Sequence, residues 1–199
     1  MYRNEAFKVE DTAFISQVVI NYPLATVTGP GLQNISHLPL VYDSENSLLW
    51  GHFAAKNMHA DAAAGQQVVA IFQGPSGYVK ASLYESKKVV PTYNYFAVHF
   101  YGTLELISTE AEKESVLKKQ VSFFEEEYLK TWEQLDEAYR KAMLMQVVAF
   151  KITVDQVQAS AKMSQNKKPP DRQAIIKDFT PGNQQLADFM KYFSEGSTN

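Results

Sequence analysis

Apolar and polar positions alternate in short runs through the first half of the chain, a period of two that predicts strands. Such runs are Tyr22–Thr28, Asn34–Tyr42, Ser47–Phe53, Gln67–Phe72 and Tyr78–Leu83, punctuated by Gly29-Pro30-Gly31, Gly65 and Gly74-Pro75. A longer run, Asn94–Ile107, sets Phe96, Val98 and Phe100 on one face and Ala97, His99 and Tyr101 on the other. Gly102 interrupts it, the mark of a bulge or of another backbone coming close. Val147–Val154 completes seven runs, with Val148, Phe150, Ile152 and Val154 sharing a face. Helical spacing takes over elsewhere. Asp11 caps a stripe of Phe14, Ile15, Val18 and Val19. Thr109 and Glu112 form a capping box ahead of Leu117, Val121, Phe124 and Tyr128. Leu135, Ala138, Tyr139 and Ala142 continue as a second helix, and Leu186, Phe189, Met190 and Phe193 make a last one. Lys167-Lys168-Pro169-Pro170 reads as a linker, and Ser194–Asn199 as a frayed end.

Strands that do not alternate regularly with helices argue against a doubly wound parallel sheet. The fold expected is mainly β (α+β), a six- to seven-stranded antiparallel barrel with peripheral helices. A barrel of that size is filled by its own side chains, so a ligand must sit outside it or at a subunit junction.

Composition narrows the chemistry. The 199 residues contain no cysteine, which excludes disulfides, a thiolate nucleophile and iron–sulfur ligation. Lys+Arg number 19 and Asp+Glu 22, a net charge of −3, so no general field attracts nucleic acid and direct DNA binding is doubtful. No apolar run reaches the roughly 18 residues of a membrane span. No leader is evident at Met1–Glu5, and a cytoplasmic protein is expected. There is no GxSxG, P-loop, GxGxxG or HExxH motif, so no catalytic residue is assigned. His37, His52, His59 and His99 lack metal-ligand spacing, and no metal site is expected.

Three segments could carry binding. In Leu49–Asn57 a strand runs into a helical stretch, Ala54–Ala64, where free N–H groups with His52, Lys56 and Asn57 could grip a phosphomonoester. The competing reading has His52 ending a strand and Lys56 simply solvated. Tyr93-Asn94-Tyr95 sets flat rings beside an amide, suited to a planar heteroaromatic ligand or equally to a core. Ser164, Gln165 and Asn166, in the polar segment Lys162–Lys167, could read a polar ring edge or form a bland loop.

Several blocks taken in order say more than any one. Asn21-Tyr22-Pro23-Leu24-Ala25-Thr26, Ser36-His37-Leu38-Pro39-Leu40, Gly51 to Asn57, Ile71-Phe72-Gln73-Gly74-Pro75, Val90 to Tyr95 and Lys162 to Lys167 together resemble the PaiB family. These are FMN-binding-domain proteins often described as negative transcriptional regulators. The resemblance runs from Met1 to about Arg172. It implies an FMN-binding split barrel, related in fold to pyridoxamine phosphate oxidases and flavin reductases, over residues 1–170, with 171–199 as a helical extension packed on it. It implies a homodimer with FMN at the subunit junction. By the family pattern His52, Ala54, Lys56 and Asn57 surround the phosphate end, and Ser36, His37, Leu38 and Pro39 lie beside the isoalloxazine ring. Tyr93, Asn94, Tyr95, Gln165 and Asn166 close the site, one chain completing the other's. The family carries Trp where Tyr93 stands, and Ser-Trp-Tyr where this chain has Ser82-Leu83-Tyr84, whereas Lys56-Asn57 is kept. Two functions remain open at this point. One is an FMN-binding flavoprotein, with FMN-dependent oxidoreductase activity as one form. The other is a negative transcriptional regulator acting through DNA or a protein partner without flavin turnover.

Overall fold

Val9, Ala25, Val27, Leu49 and Phe53 are buried at alternate positions of short strands, while their neighbours reach solvent. That pleat organises a computed structural model describing residues 1, 4–29 and 34–194. The Pro30-Gly31 part of the first turn signal and residues 195–199 of the expected frayed end lie outside the described residues. The strands are β1 (Lys8–Val9), β2 (Leu24–Thr28), β3 (Ile35–Pro39), β4 (Val41–Asp43), β5 (Leu48–Ala54), β6 (Gln67–Val79), β7 (Thr92–Leu106) and β8 (Val147–Lys162). The helices are α1 (Thr12–Asn21), α2 (His59–Ala63), α3 (Glu110–Glu125), α4 (Tyr128–Gln134), α5 (Glu137–Met145), α6 (Pro169–Phe179) and α7 (Gln184–Tyr192). Strand order is β3-β2-β6-β7-β8-β5-β4, with β1 beside β8, and the pairs β2–β3, β2–β6, β4–β5, β5–β8 and β1–β8 are antiparallel.

The chain forms two compact units, and β6, β7 and β8 contribute residues to both. One unit comprises Val19–Phe72 and His99–Val157. Its centre is aromatic: Phe53, Phe72, Phe100 and Phe150 are fully buried, with Phe53 and Phe150 ring centroids 4.6 Å apart. An added Cβ on Gly102 would meet the Thr153 carbonyl oxygen at 2.1 Å, so the interruption in β7 is a close backbone approach. Thr109 caps α3, its Oγ1 accepting from Glu112 N–H at 3.3 Å, and Glu112 reaches back to the Thr109 hydroxyl, which donates to Oε2 at 2.6 Å. Beneath that helix Leu117, Trp132 and Leu144 make a small separate core, and Trp132 Nε1 donates to Glu114 at 2.8 Å.

The other unit comprises Met1–Val18, Gln73–Val98 and Gln158–Asn199. Phe14 of α1 stacks on Tyr192 at 4.4 Å and meets Phe96, Phe189 and Phe193 edge-on. The Asp11 cap is present, its Oδ1 accepting from Phe14 N–H at 3.0 Å.

Four sequence expectations change. The runs 67–72 and 78–83 are a single strand, β6, followed by a 3-10 turn at Ala81–Leu83. Gly74 is not a break there, and Gly77 lies within the same strand. Added Cβ atoms would come within 3.2 Å of Phe96 and 2.7 Å of Phe179, so the glycines admit packed rings. The run 34–42 divides into β3 and β4, and β1 joins the sheet, giving eight strands. Lys167–Pro170 is no linker: Pro169 opens α6, where a missing N–H costs nothing. Finally, β5 extends to Ala54 and the helix after it is one turn, His59–Ala63, rather than Ala54–Ala64.

Candidate functional site

Two of the expected segments come together in the 19–72 part of the first unit. Sheet pairing places Ser36 opposite Val27 and His37 opposite Thr26, with β3 the last strand in the order. Among the described residues the β3 backbone on the side away from β2 therefore has no ladder partner. His37 Nδ1 hydrogen-bonds Thr26 Oγ1 at 3.0 Å, and Leu38 and Pro39 are half-buried. At the end of β5 the chain turns tightly, Asn57 N–H donating to the Ala54 carbonyl at 2.9 Å. Ala54 and Lys56 are exposed in that turn, and Lys56 has no hydrogen bond or ion pair among the described residues.

The turn is tied to β3 through side chains. Asn57 Oδ1 accepts from His59 N–H at 3.0 Å, which obliges its Nδ2 to face the other way, where it donates to Ser36 Oγ at 3.0 Å. Ser36 Oγ also shares a hydrogen bond with His59 Nδ1 at 2.9 Å. His59 is buried and packs on Phe53 at 5.2 Å, and burial pushes its imidazole below the ordinary value, favouring the neutral ring. The first N–H of α2 is therefore already spent on Asn57, so the expected phosphate grip by a helix start gives way to side chains on a turn. His59 is a site-organising residue that the sequence considered only as a metal ligand. Its spacing from His52 carried no signal because its partners come from β3.

His52 lies on the next outward-facing position of β5 after Trp50 and is half-buried under α3. Its Nδ1 is 2.6 Å from Gln120 Oε1, and Gln120 Nε2 donates to the Pro39 carbonyl at 3.0 Å. Gln120 was not anticipated either. A cavity of about 340 Å³ opens here, lined by His52, Pro39, Gln120, Phe124, Glu125 and Tyr128. Phe124 is 54% exposed, so the expected stripe of α3 is rotated: Val116, Leu117 and Gln120 face inward. Among the described residues no cluster of three His, Asp or Glu could hold a metal, and no helix is long and apolar enough to cross a membrane.

The remaining expected residues belong to the other unit. Asn94 is fully buried, accepting from Ser164 Oγ at 3.1 Å and contacting Met190 Sδ at 3.5 Å, so its amide is engaged internally. Gln165 is likewise committed: its Oε1 accepts from Met163 N–H, and its Nε2 donates to the carbonyls of Ala6 and Ala161. Tyr93 is half-exposed, Tyr95 half-buried and Asn166 exposed.

A free lysine on a tight turn, a histidine with one nitrogen engaged, and an unpaired strand edge make a donor set that suits a phosphate joined to a planar polar ring. Residues 1–156 match the family described as "Putative FMN-binding domain". The chain is 32% identical to protease synthase and sporulation protein PAI 2 of Bacillus subtilis (strain 168), over 96% of this chain and 97% of that protein. Its fold is similar to that of the flavocytochrome Anf3 from Azotobacter vinelandii, with a TM-score of 0.64 and 18% identity over 81% of this chain and 72% of that one. A FAD and heme binding protein from Mycobacterium smegmatis gives a TM-score of 0.60 and 16% identity over 77% and 72%. These folds are split barrels, the arrangement that the family resemblance implies and a narrower one than the antiparallel barrel read from the strand pattern. By the extent of both sequence matches, the chain belongs to the FMN-binding-domain family that includes the PaiB-type proteins.

Proposed function

We propose that this protein is a PaiB-type flavoprotein that holds FMN along β3, with the phosphate at His52, Lys56 and Asn57. The observation carrying this reading is the Asn57–Ser36 hydrogen bond of 3.0 Å, which joins the phosphate turn to the ring strand. Lys56, uncommitted and exposed, supplies a cation that loses none of its own contacts on meeting a phosphate. An open strand edge offers alternating N–H and C=O groups, which match the acceptor–donor–acceptor edge of the isoalloxazine ring. Bound FMN supplies hydride and electron acceptance at its own ring, so oxidoreductase activity asks the protein only to orient and screen it.

Within the second group of expected residues, Tyr93, Tyr95 and Asn166 have exposure to offer a ligand, whereas Asn94 and Gln165 support the fold around them. A homodimer in which those three residues complete the partner's site accords with the family pattern. The DNA-reading alternative is not favoured: α3 opens with Glu110 and Glu112, and its Lys118 is paired with Glu114 and Glu133. The test is to titrate FMN into purified protein while following flavin fluorescence and the visible spectrum. Saturable quenching with a perturbed flavin band is expected. Unchanged free-flavin fluorescence at micromolar protein would refute the reading.

A further inference from the structure

Helix α3 presents an amide on its buried side. Gln120 is 5% exposed and stands beside Val116 and Leu117, where an apolar residue would pack at less cost. Both ends of the amide are used, on Pro39 and on His52. The pairing fixes more than position. A carbonyl oxygen has no hydrogen, so Pro39 accepts only from the NH2 group, and the amide oxygen must face His52. An oxygen at 2.6 Å requires a proton on Nδ1. The neutral ring of His52 is thereby set as its Nδ1–H tautomer, with the lone pair on Nε2.

We propose that Gln120 is a positioning residue of the cofactor site, pinning the ring plane and tautomer of His52 so that Nε2 alone is left for the ligand phosphate. The inference rests on the FMN reading, because it takes His52 as part of the phosphate end. A lone pair facing a phosphate oxygen repels it, so binding brings in one proton, carried by the phosphate monoanion or taken up from solvent, which Nε2 and that oxygen then share. The groups around the ring are Glu125 of α3 and Tyr128 of α4, which line the same cavity, Pro39 of β3, and Ala149, its partner on β8. The relay also links α3 to the ring strand, since Pro39 is the last residue of β3. A second tie thus joins the two ends of the site, independent of Asn57–Ser36.

The tautomer is read directly by 15N NMR on histidine-labelled wild-type protein without FMN, at an alkaline pH where the imidazole signals have stopped moving with pH. His52→Ala assigns the signals. Nδ1 is expected to be pyrrole-type and Nε2 pyridine-type, and addition of FMN should move Nε2 toward the protonated position while Nδ1 holds. The opposite pattern, Nε2–H in the free protein, overturns the proposal, and this measurement does not depend on any variant folding. A double-mutant cycle then tests the role. His52→Ala and Gln120→Leu should each weaken FMN binding about tenfold, the worth of one charge-assisted hydrogen bond. The double variant should be no weaker than His52→Ala alone. If Gln120→Leu keeps its full effect in the His52→Ala background, it does not act through His52 and the positioning role is overturned. If His52→Ala leaves FMN affinity unchanged, the phosphate role of His52 fails and the cofactor role of Gln120 falls with it. FMN titration of wild-type protein separates that outcome from failure of FMN binding itself.

Discussion

Replacing Gly102 by Ala tests whether the close approach of β7 and β8 holds the sheet together. The new Cβ would sit 2.1 Å from the Thr153 carbonyl oxygen and 2.9 Å from both Thr153 C and Ile152 Cγ2. Carbon–oxygen contacts settle at about 3.3–3.6 Å, so the strands must part by roughly 1.2–1.5 Å. They cannot do so cheaply. Thr153 is backbone, not the end of a flexible side chain, and β8 is held on its other side by β5, with Thr153 opposite Leu48. Overpacking costs about 1–3 kcal/mol and occasionally more, and backbone obstruction puts this case at the upper end, about 3 kcal/mol. For a chain of this size that is a fall in Tm of roughly 6–12 °C. Two other glycines calibrate the result. Gly182 has nothing within 4 Å of an added Cβ, so Gly182→Ala should be neutral or stabilising by about 0.4–1 kcal/mol. Gly65 is equally uncrowded but has φ +67°, and Gly65→Ala should cost about 1–2 kcal/mol from backbone strain alone. Thermal and urea unfolding followed by circular dichroism measures all three. The reasoning is refuted if Gly102→Ala melts within about 2 °C of wild type or above Gly65→Ala.

Other perturbations follow from single contacts. Lys56→Ala should weaken FMN binding about tenfold with no change in Tm, because the exposed side chain makes no hydrogen bond, ion pair or ring contact among the described residues; fluorescence titration checks the first and calorimetry the second. Thr109→Ala should cost about 1 kcal/mol in urea unfolding through loss of the α3 N-cap, and leave FMN affinity intact. The Phe14 N–H and then the Tyr192 hydroxyl hold the Asp11 carboxyl below its ordinary value, so the folded chain binds that proton less readily than the unfolded one. The resulting stability is present above about pH 4 and lost as pH falls through the depressed folded value, so Asp11→Asn should be less stable than wild type near pH 7 and converge with it in acid unfolding.

What the sequence discloses, and what it conceals, follows the range of the interactions. The Asp11 cap and the Thr109–Glu112 pair are local, spanning three residues, and both are read from spacing. Gly102 announces itself because a glycine inside an apolar alternation has few other uses. Gly74 misleads by the same logic: its partners, Phe96 and Phe189, are distant in sequence, and a packing glycine looks like a break. Pro169 misleads because a helix start and a linker share the same residues. At the site, the Lys56-Asn57 turn and Ser36 are recognised by order and type. Their connection through His59 is not, because Ser36 and His59 lie 23 positions apart. Gln120 lies 68 positions from His52 and interrupts an apolar stripe. An interior amide of that kind is the sort of signal that points to a buried polar partner, though not to which one. Asn94 shows the converse. Flanked by tyrosines it suggests a ligand amide, yet a strand alternates, and its own side chain faces Ser164 and Met190 while Tyr93 and Tyr95 face outward or partly so.

The central claim is that the phosphate end of FMN is recognised at His52, Lys56 and Asn57. Comparing FMN with riboflavin, the same ring without the phosphate, tests it most directly by fluorescence titration under identical salt. Two or more charge-assisted hydrogen bonds should make FMN bind about a hundredfold tighter, and Lys56→Ala should narrow that gap about tenfold. Equal affinities for FMN and riboflavin, or a gap that Lys56→Ala leaves untouched, would contradict it.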